Sequence, residues 1–320
     1  MVILAYPHLP SLEVLTDYQP KIPLRVYTAD GYLIGEFGEE RRALVSINEV
    51  PAIMKQAILS AEDERFYQHG GVDTLGVIRA AYSNFIGGGK RQGASTITMQ
   101  VARNFFLSSE KTLSRKLYEA LLAFKIEHNL SKDEILQIYI NQIYLGQRAY
   151  GFASAAQIYF GKPLKDINAA EAAMLAGLPK APSSYNPVAN PKRAKLRQMY
   201  VLRRMHELGT LDDKQFTEAQ NMQLTVKHDS NDFGVHADFV AEMARQIAYE
   251  RFQEDTYSKG LRVITTITRA EQEAAYASLR KGVMDYDRRH GYRGAEAYID
   301  MQDIHSDQAE ELEDALIDYE

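Results

Sequence analysis

The chain has 320 residues, 45% of them hydrophobic and 25% charged, with a formal net charge of −6 and no cysteine. That length suits one large domain with attachments, or two domains. Without cysteine there is no disulfide framework and no thiolate metal site, and no run of about 20 apolar residues supplies a membrane-crossing helix.

The net charge conceals an asymmetry. Residues 296–320 carry ten acidic side chains and no Lys or Arg, whereas Pro51 to Thr210 holds 21 basic against 12 acidic residues. A basic middle section favours an anionic partner such as phosphate, nucleic acid or lipid headgroups, although a solvated cationic surface explains the same count.

In chain order, Val2–Ala5 is a short apolar scrap, compatible with the tail of an anchor or with a frayed end. Tyr6–Pro23 is proline-rich and reads as an extended linker. Leu24–Phe37 alternates around Asp30-Gly31, a hairpin signal. Ser46 and Glu49 have capping-box spacing ahead of Pro51, and Val50, Ile53, Met54, Ala57, Ile58 and Ala61 trace one helical face. GGGKRQG (residues 87–93) breaks the pattern. Helical period resumes over Thr96–Phe106, Leu113–Glu127, Lys132–Leu145 and Asn168–Leu178. The four-proline stretch PKAPSSYNPVANP follows, then helices over Lys192–Glu207 and Asp212–Gln220. A mainly helical domain is expected from about Ala43 to Thr225. Beyond it come a helix over His236–Phe252, a β-branched strand over Leu261–Thr268, a helix over Glu271–Tyr286 and an acidic tail.

Three segments carry candidate chemistry. In EDERFYQHGGVD, Glu62 follows Ile58 by four residues and so continues an apolar face. A carboxylate there is desolvated and its pKa rises, as a general base requires; taken alone, the segment is better explained as an ordinary charged helix end, since ion-pair networks mimic such sites. In GASTITMQ, small hydroxylated residues after a glycine loop open a helix whose free N–H groups suit an anion, or serve only as its cap. In the third, Arg115 and Glu119 have the spacing of a surface ion pair, while Arg103, Lys111, Arg115 and Lys116 together suit a diphosphate.

The order and spacing of EDERFYQHGGVD, QGASTITMQVARN, RKLYEALLAFKIE, KDEILQIYINQIYLGQRAYG and AAMLAGLPKAPSSYNP resemble the motifs of the family 51 glycosyltransferases. These are the glycan-polymerising domains of class A penicillin-binding proteins and monofunctional transglycosylases, and GASTITMQVARNFFL with DYDRRHGYRG is similar to the 1a type. The resemblance implies a mainly α, lysozyme-like helical domain with a short N-terminal β-hairpin and a small C-terminal α/β linker region. It divides the chain into a linker after a missing membrane anchor (1–23), a glycosyltransferase domain (24–230), a helix–strand–helix linker to an absent transpeptidase domain (231–294) and the acidic start of a truncated inserted domain (295–320).

By the same resemblance the substrate is lipid II, which the enzyme joins to a growing glycan strand with loss of undecaprenyl diphosphate. Glu62 matches the catalytic base. Glu119 matches a second carboxylate on the leaving-group side, associated with a divalent cation, Mg2+ or Mn2+. As substrate-binding residues, Asp63, Phe66 and His69 match the first motif, Ser95, Thr96, Gln100 and Arg103 the second, and Arg115 and Lys116 the third; Lys111 falls where a basic diphosphate contact is frequent. Gln137 replaces a frequent Glu in the fourth motif and reads as structural. No organic cofactor and no nucleic-acid partner are expected. Other partners are membrane lipids and cell-wall synthesis proteins, at the periplasmic face of a bacterial inner membrane.

Ile78, Tyr82, Phe85 and Ile86 are candidate membrane contacts, with Lys90 and Arg91 at the headgroups; a core helix with a loose end is the alternative. Ser108–Lys111 and Ser278–Lys281 satisfy SxxK, yet no KTG follows, so transpeptidase activity and penicillin binding are not expected. A lysozyme-like peptidoglycan lyase and a non-catalytic lipid II-binding scaffold are the rival functions.

Overall fold

The computed structural model describes residues 9–16, 20–78, 95–107, 113–227, 233–291 and 294. Chain compaction divides it into one unit ending at Thr268 and a second beginning at Arg269.

The larger unit is mainly helical, as its sequence periods imply. After a short helix α1 (Glu13–Thr16), the helical body contains α2 (Ala52–Glu62), α3 (Ile97–Phe106), α4 (Leu113–Asn129) and α5 (Lys132–Gln142). It continues with α6 (Phe152–Phe160), α7 (Ala169–Gly177), α8 (Pro191–Glu207) and α9 (Asp213–Asn221). Their starts follow capping chemistry. Ser131, Asn168 and Asp212 each cap a helix reciprocally with Glu134, Glu171 and Gln215, and Ser46 with Glu49 caps a 3-10 turn before α2, satisfying N–H groups the helix cannot. The helices share one core, in which Met54, Ile58, Leu122, Ile126, Tyr139, Phe152, Tyr159 and Leu202 are fully buried.

The helix α6 has no counterpart among the expected elements. In FASAAQIYF all residues but Gln157 are buried, so the segment lacks the polar face that reveals a helix by its period. A second departure is the proline-rich start: Leu9 and Leu15 are 6% and 3% exposed and belong to the main core. The segment is docked by apolar burial where an extended linker was expected.

The hairpin forms as read. β1 (Leu24–Tyr27) runs antiparallel to β2 (Leu33–Phe37), with Val26 opposite Gly35, and Gly31 takes a φ of 88° in the turn. β1 also pairs in parallel with β5 (Arg262–Ile264), giving the order β2-β1-β5. Helix α10 (Asp238–Phe252) packs Ala241, Ala244 and Ala248 against Leu24, Val26 and Ile34, forming a second core. The expected boundary at residue 230 is therefore corrected: β1 and β2 share their sheet and core with residues beyond it. A smaller parallel pair joins β3 (Arg41–Arg42) to β4 (Ala149–Tyr150). Gln137 accepts a hydrogen bond from the Ile47 N–H at 2.8 Å, tying α5 to the segment before α2. In the second unit, α11 (Arg269–His290) is a 22-residue helix without a buried residue.

Candidate active site

Glu62 is the last residue of α2, where an apolar stripe runs into a cleft of about 420 Å3. Its side chain is only 12% exposed. Burial pushes its carboxyl above the ordinary value; a hydrogen bond from Gln100 and the charges of Arg197, Lys180 and Arg103 pull it partly back. Gln100 Nε2 donates to Glu62 Oε2 at 2.9 Å, and the Arg197 guanidinium lies 3.9 Å from Oε1. The site is thus one desolvated acid among three cations, a combination that holds an anion next to a base.

The neighbouring residues set this geometry. Asp63 accepts the Ile97 N–H at 3.0 Å and His69 Nε2 lies 3.0 and 3.1 Å from its two oxygens, so Asp63 pins the end of α2 to the start of α3. Thr96 caps α3, accepting from the Met99 N–H at 3.1 Å and donating to the Gly71 carbonyl at 2.6 Å. Gly71 has a φ of 88°, and a Cβ there would meet the Ala123 backbone at 2.9 Å, so only glycine fits the turn without displacement. On the facing wall, Arg197 lies over the Tyr200 ring at 4.5 Å and donates to the Gly177 carbonyl at 3.4 Å. A Cβ on Gly177 would stand 2.8 Å from the Arg197 side chain; its absence lets that arginine lie flat. Arg204 bridges Glu64 to Glu207.

Glu62, Asp63, Ser95, Thr96, Gln100 and Arg103 come together on this cleft. The others lie elsewhere. Phe66, expected at the substrate, is 1% exposed and belongs to the core, with Lys132 Nζ 4.3 Å over its ring; its bulk is spent on packing. His69 acts on Asp63. Arg115, Lys116 and Glu119 sit behind the lining: Glu119 is fully buried, and Lys116 Nζ bridges its Oε2 at 2.5 Å to Ser95 Oγ at 2.7 Å. Arg115 Nε is 3.4 Å from the other oxygen. The pair read as a surface contact is a buried one. Lys111, Tyr82, Phe85 and Ile86 lie outside the described residues, and Ile78 is 65% exposed.

Among the described residues no group of three His, Asp or Glu side chains could hold a metal ion. Glu119 turns both oxygens to Arg115 and Lys116, a donor set that does not fit a divalent cation. Lys180, Arg197 and Arg204 line the cleft and were not singled out from sequence. A larger cavity of about 800 Å3 lies beside β2 and α10; its one acid of comparable burial, Glu36, is paired with Arg25 at 2.8 Å and Arg41 at 3.9 Å, whereas burial pushes the Glu62 carboxyl upward, so the smaller cleft is the one equipped for chemistry.

The mainly helical body thus carries a buried glutamate beside a cationic cleft. The Transglycosylase family model matches residues 30–206, more than half of the chain, and the chain belongs to that family. It is 55% identical over 300 residues to penicillin-binding protein 1A of Neisseria lactamica, covering 94% of this chain and 38% of that protein. Penicillin-binding protein 1A of Pseudomonas aeruginosa is 48% identical over 296 residues, covering 92% of this chain and 36% of its own length. Among solved structures, penicillin-binding protein 1A from Haemophilus influenzae matches with a TM-score of 0.47 and 30% identity, over 91% of this chain and 34% of that one. The chain spans less than two fifths of the length of these curated relatives.

Proposed function

We propose that the chain is a peptidoglycan glycosyltransferase that polymerises lipid II into β-1,4-linked glycan strands for the cell wall. The observation that carries this is Glu62: a desolvated carboxyl of raised pKa with Arg103, Lys180 and Arg197 around it. In the reaction Glu62 removes the proton from the acceptor 4-hydroxyl, whose oxygen attacks the anomeric carbon of the lipid-linked donor. The carbon–oxygen bond to the diphosphate breaks, its electron pair leaves with undecaprenyl diphosphate, and the anomeric configuration inverts. Gln100 holds the carboxylate in place through Oε2.

A diphosphate leaves without an acid if its charge is neutralised, and fixed cations do this best from a site that is already organised. Arg103, Arg197 and Lys180 are the neutralising set. They do the work assigned by resemblance to Mg2+ or Mn2+, and the transfer needs no organic cofactor. Lys116 and Glu119 hold Ser95 and the start of α3 from behind, a positioning role. A lyase of lysozyme type protonates a sugar leaving group and gains nothing from three cations around its acid.

The substrate implies work at a lipid surface. No helix among the described residues is long and apolar enough to cross a membrane. Leu75 and Ile78 are 63% and 65% exposed, and Leu117 and Phe124 on α4 are each 49% exposed. We assign these to contact with the outer face of the bacterial inner membrane. Liposome flotation of Leu75→Asp, Ile78→Asp tests it: loss of binding supports the assignment, and unchanged flotation ends it. The reaction itself is tested with fluorescent lipid II in detergent, alongside preformed strands. Elongation of lipid II supports the transferase, whereas cutting of strands establishes the lyase and lipid II binding without turnover the scaffold.

A further inference from the structure

The cavity beside β2 shares no lining residue with the catalytic cleft. It touches Ile34, Gly35, Glu36, Phe37, Gly38 and Glu39 in succession. Side chains alternate between the faces of a strand, so a cavity that meets every residue in turn follows the strand's edge. β2 is an outer strand of its sheet with no strand on its other side among the described residues, and such an edge offers N–H and C=O groups to an incoming strand.

The opposite wall is α10, through Asp238, Ala241, Glu242 and Arg245. Sheet and helix close at the floor, where a Cβ on Gly35 would stand 2.7 Å from that of Ala241. The lining has five acidic residues against three basic ones. Lys21 pairs with Glu39 at 3.3 Å, Arg245 with Glu242 at 2.6 Å, and Arg25 reaches Glu36 at 2.8 Å from outside the cavity. Asp238 and Glu254, and of the bases Arg148, have no ion-pair partner among the described residues, which leaves two acids against one base. The groove therefore has a hydrogen-bonding edge, an apolar floor and a surplus of negative charge.

We infer that this groove binds an extended, cationic peptide segment of a partner protein, which adds to the sheet as a strand beside β2. Main-chain bonds to β2 supply affinity, and alternate side chains supply selectivity: apolar ones against Ile34, Phe37 and Phe233, and Lys or Arg toward Asp238 and Glu254. The other outer strand, β5, exposes Arg262 and Ile264 and borders no part of this cavity, so it serves as an internal control.

The test uses the 320-residue chain with a fluorescein-labelled peptide of alternating Lys and Val, and a counterpart of alternating Glu and Val. Fluorescence anisotropy reads binding, and hydrogen exchange reads which amides are protected. The Lys–Val peptide is expected to bind at least tenfold more tightly than its counterpart and to slow exchange at residues 33–37 but not 262–264. Asp238→Lys with Glu254→Lys weakens it at least tenfold and leaves glycan polymerisation unchanged. Both positions are exposed, and circular dichroism verifies the variant's fold. Equal affinity for the two peptides, undiminished binding by the variant, protection of β5 instead of β2, or no binding would each overturn the inference.

Discussion

Replacing Glu119 by Gln separates a positioning role from a metal-binding one. The carboxylate is fully buried and faces Lys116 at 2.5 Å and Arg115 at 3.4 Å. At an effective dielectric of about 20 these separations correspond to roughly 7 and 5 kcal/mol of attraction before desolvation is subtracted. Burying each ion costs several kcal/mol, so the pair's net worth is small, but removing one partner leaves charge uncompensated, at a cost of about 3–5 kcal/mol. The Lys116 side chain is 41% exposed and can turn to water, which places Glu119→Gln near the lower end, about 3 kcal/mol. Lys116→Met costs less, and the double variant less than the two losses added, because the groups are coupled. Urea unfolding followed by circular dichroism, in EDTA and again in Mg2+, measures this. The same loss in both conditions is expected. A Glu119→Gln protein within about 0.5 kcal/mol of the parent in EDTA, destabilised only when Mg2+ is present, would refute the reasoning and return the metal to Glu119.

Gln100→Leu removes a bond that favours the ionised form of Glu62, so the carboxyl rises further and the acid limb of the pH–rate profile moves to higher pH. A hydrogen bond to a charged group contributes about 1.5–3 kcal/mol, so kcat/KM on that limb falls by roughly 10- to 100-fold while the high-pH plateau changes much less; a uniform drop at all pH values contradicts this. Arg197→Met takes a cation from the leaving group and lowers kcat about 10²- to 10³-fold, measured with lipid II at saturation; an effect below fivefold removes Arg197 from the site. Thr96→Ala loses the α3 cap and the bond to Gly71, lowering stability by about 1–2 kcal/mol, whereas Thr96→Ser retains most of it in the same unfolding assay.

What the sequence reveals depends on whether a residue's environment is local. The capping box of Ser46 with Glu49 lies within four residues and is legible. The hairpin at Asp30-Gly31 is legible for the same reason. Helix α6 is not, because full burial erases amphipathic contrast. Nor is the pairing of β1 with β5, which joins residues more than 200 positions apart. In the site, Glu62 announces itself as a carboxylate on an apolar face. Arg197 does not: Lys192, Arg193, Lys195 and Arg197 form one basic run, and the tertiary bond to the Gly177 carbonyl is what distinguishes the last of them, which reaches Glu62. Lys180 sits in a quoted motif, but nothing in its spacing shows that it faces the acid. Phe66 errs the other way, since a motif aromatic resembles a substrate platform until its burial is known.

The central claim is that Glu62 is the base and the surrounding cations hold the departing diphosphate. The direct measurement is single-turnover polymerisation of fluorescent lipid II by the parent and by Glu62→Gln, with lipid II binding measured in parallel. The account predicts that Glu62→Gln binds lipid II within about threefold of the parent and polymerises it at least 10²-fold more slowly, the smallest contribution of a positioned base. Polymerisation by Glu62→Gln within tenfold of the parent would contradict it.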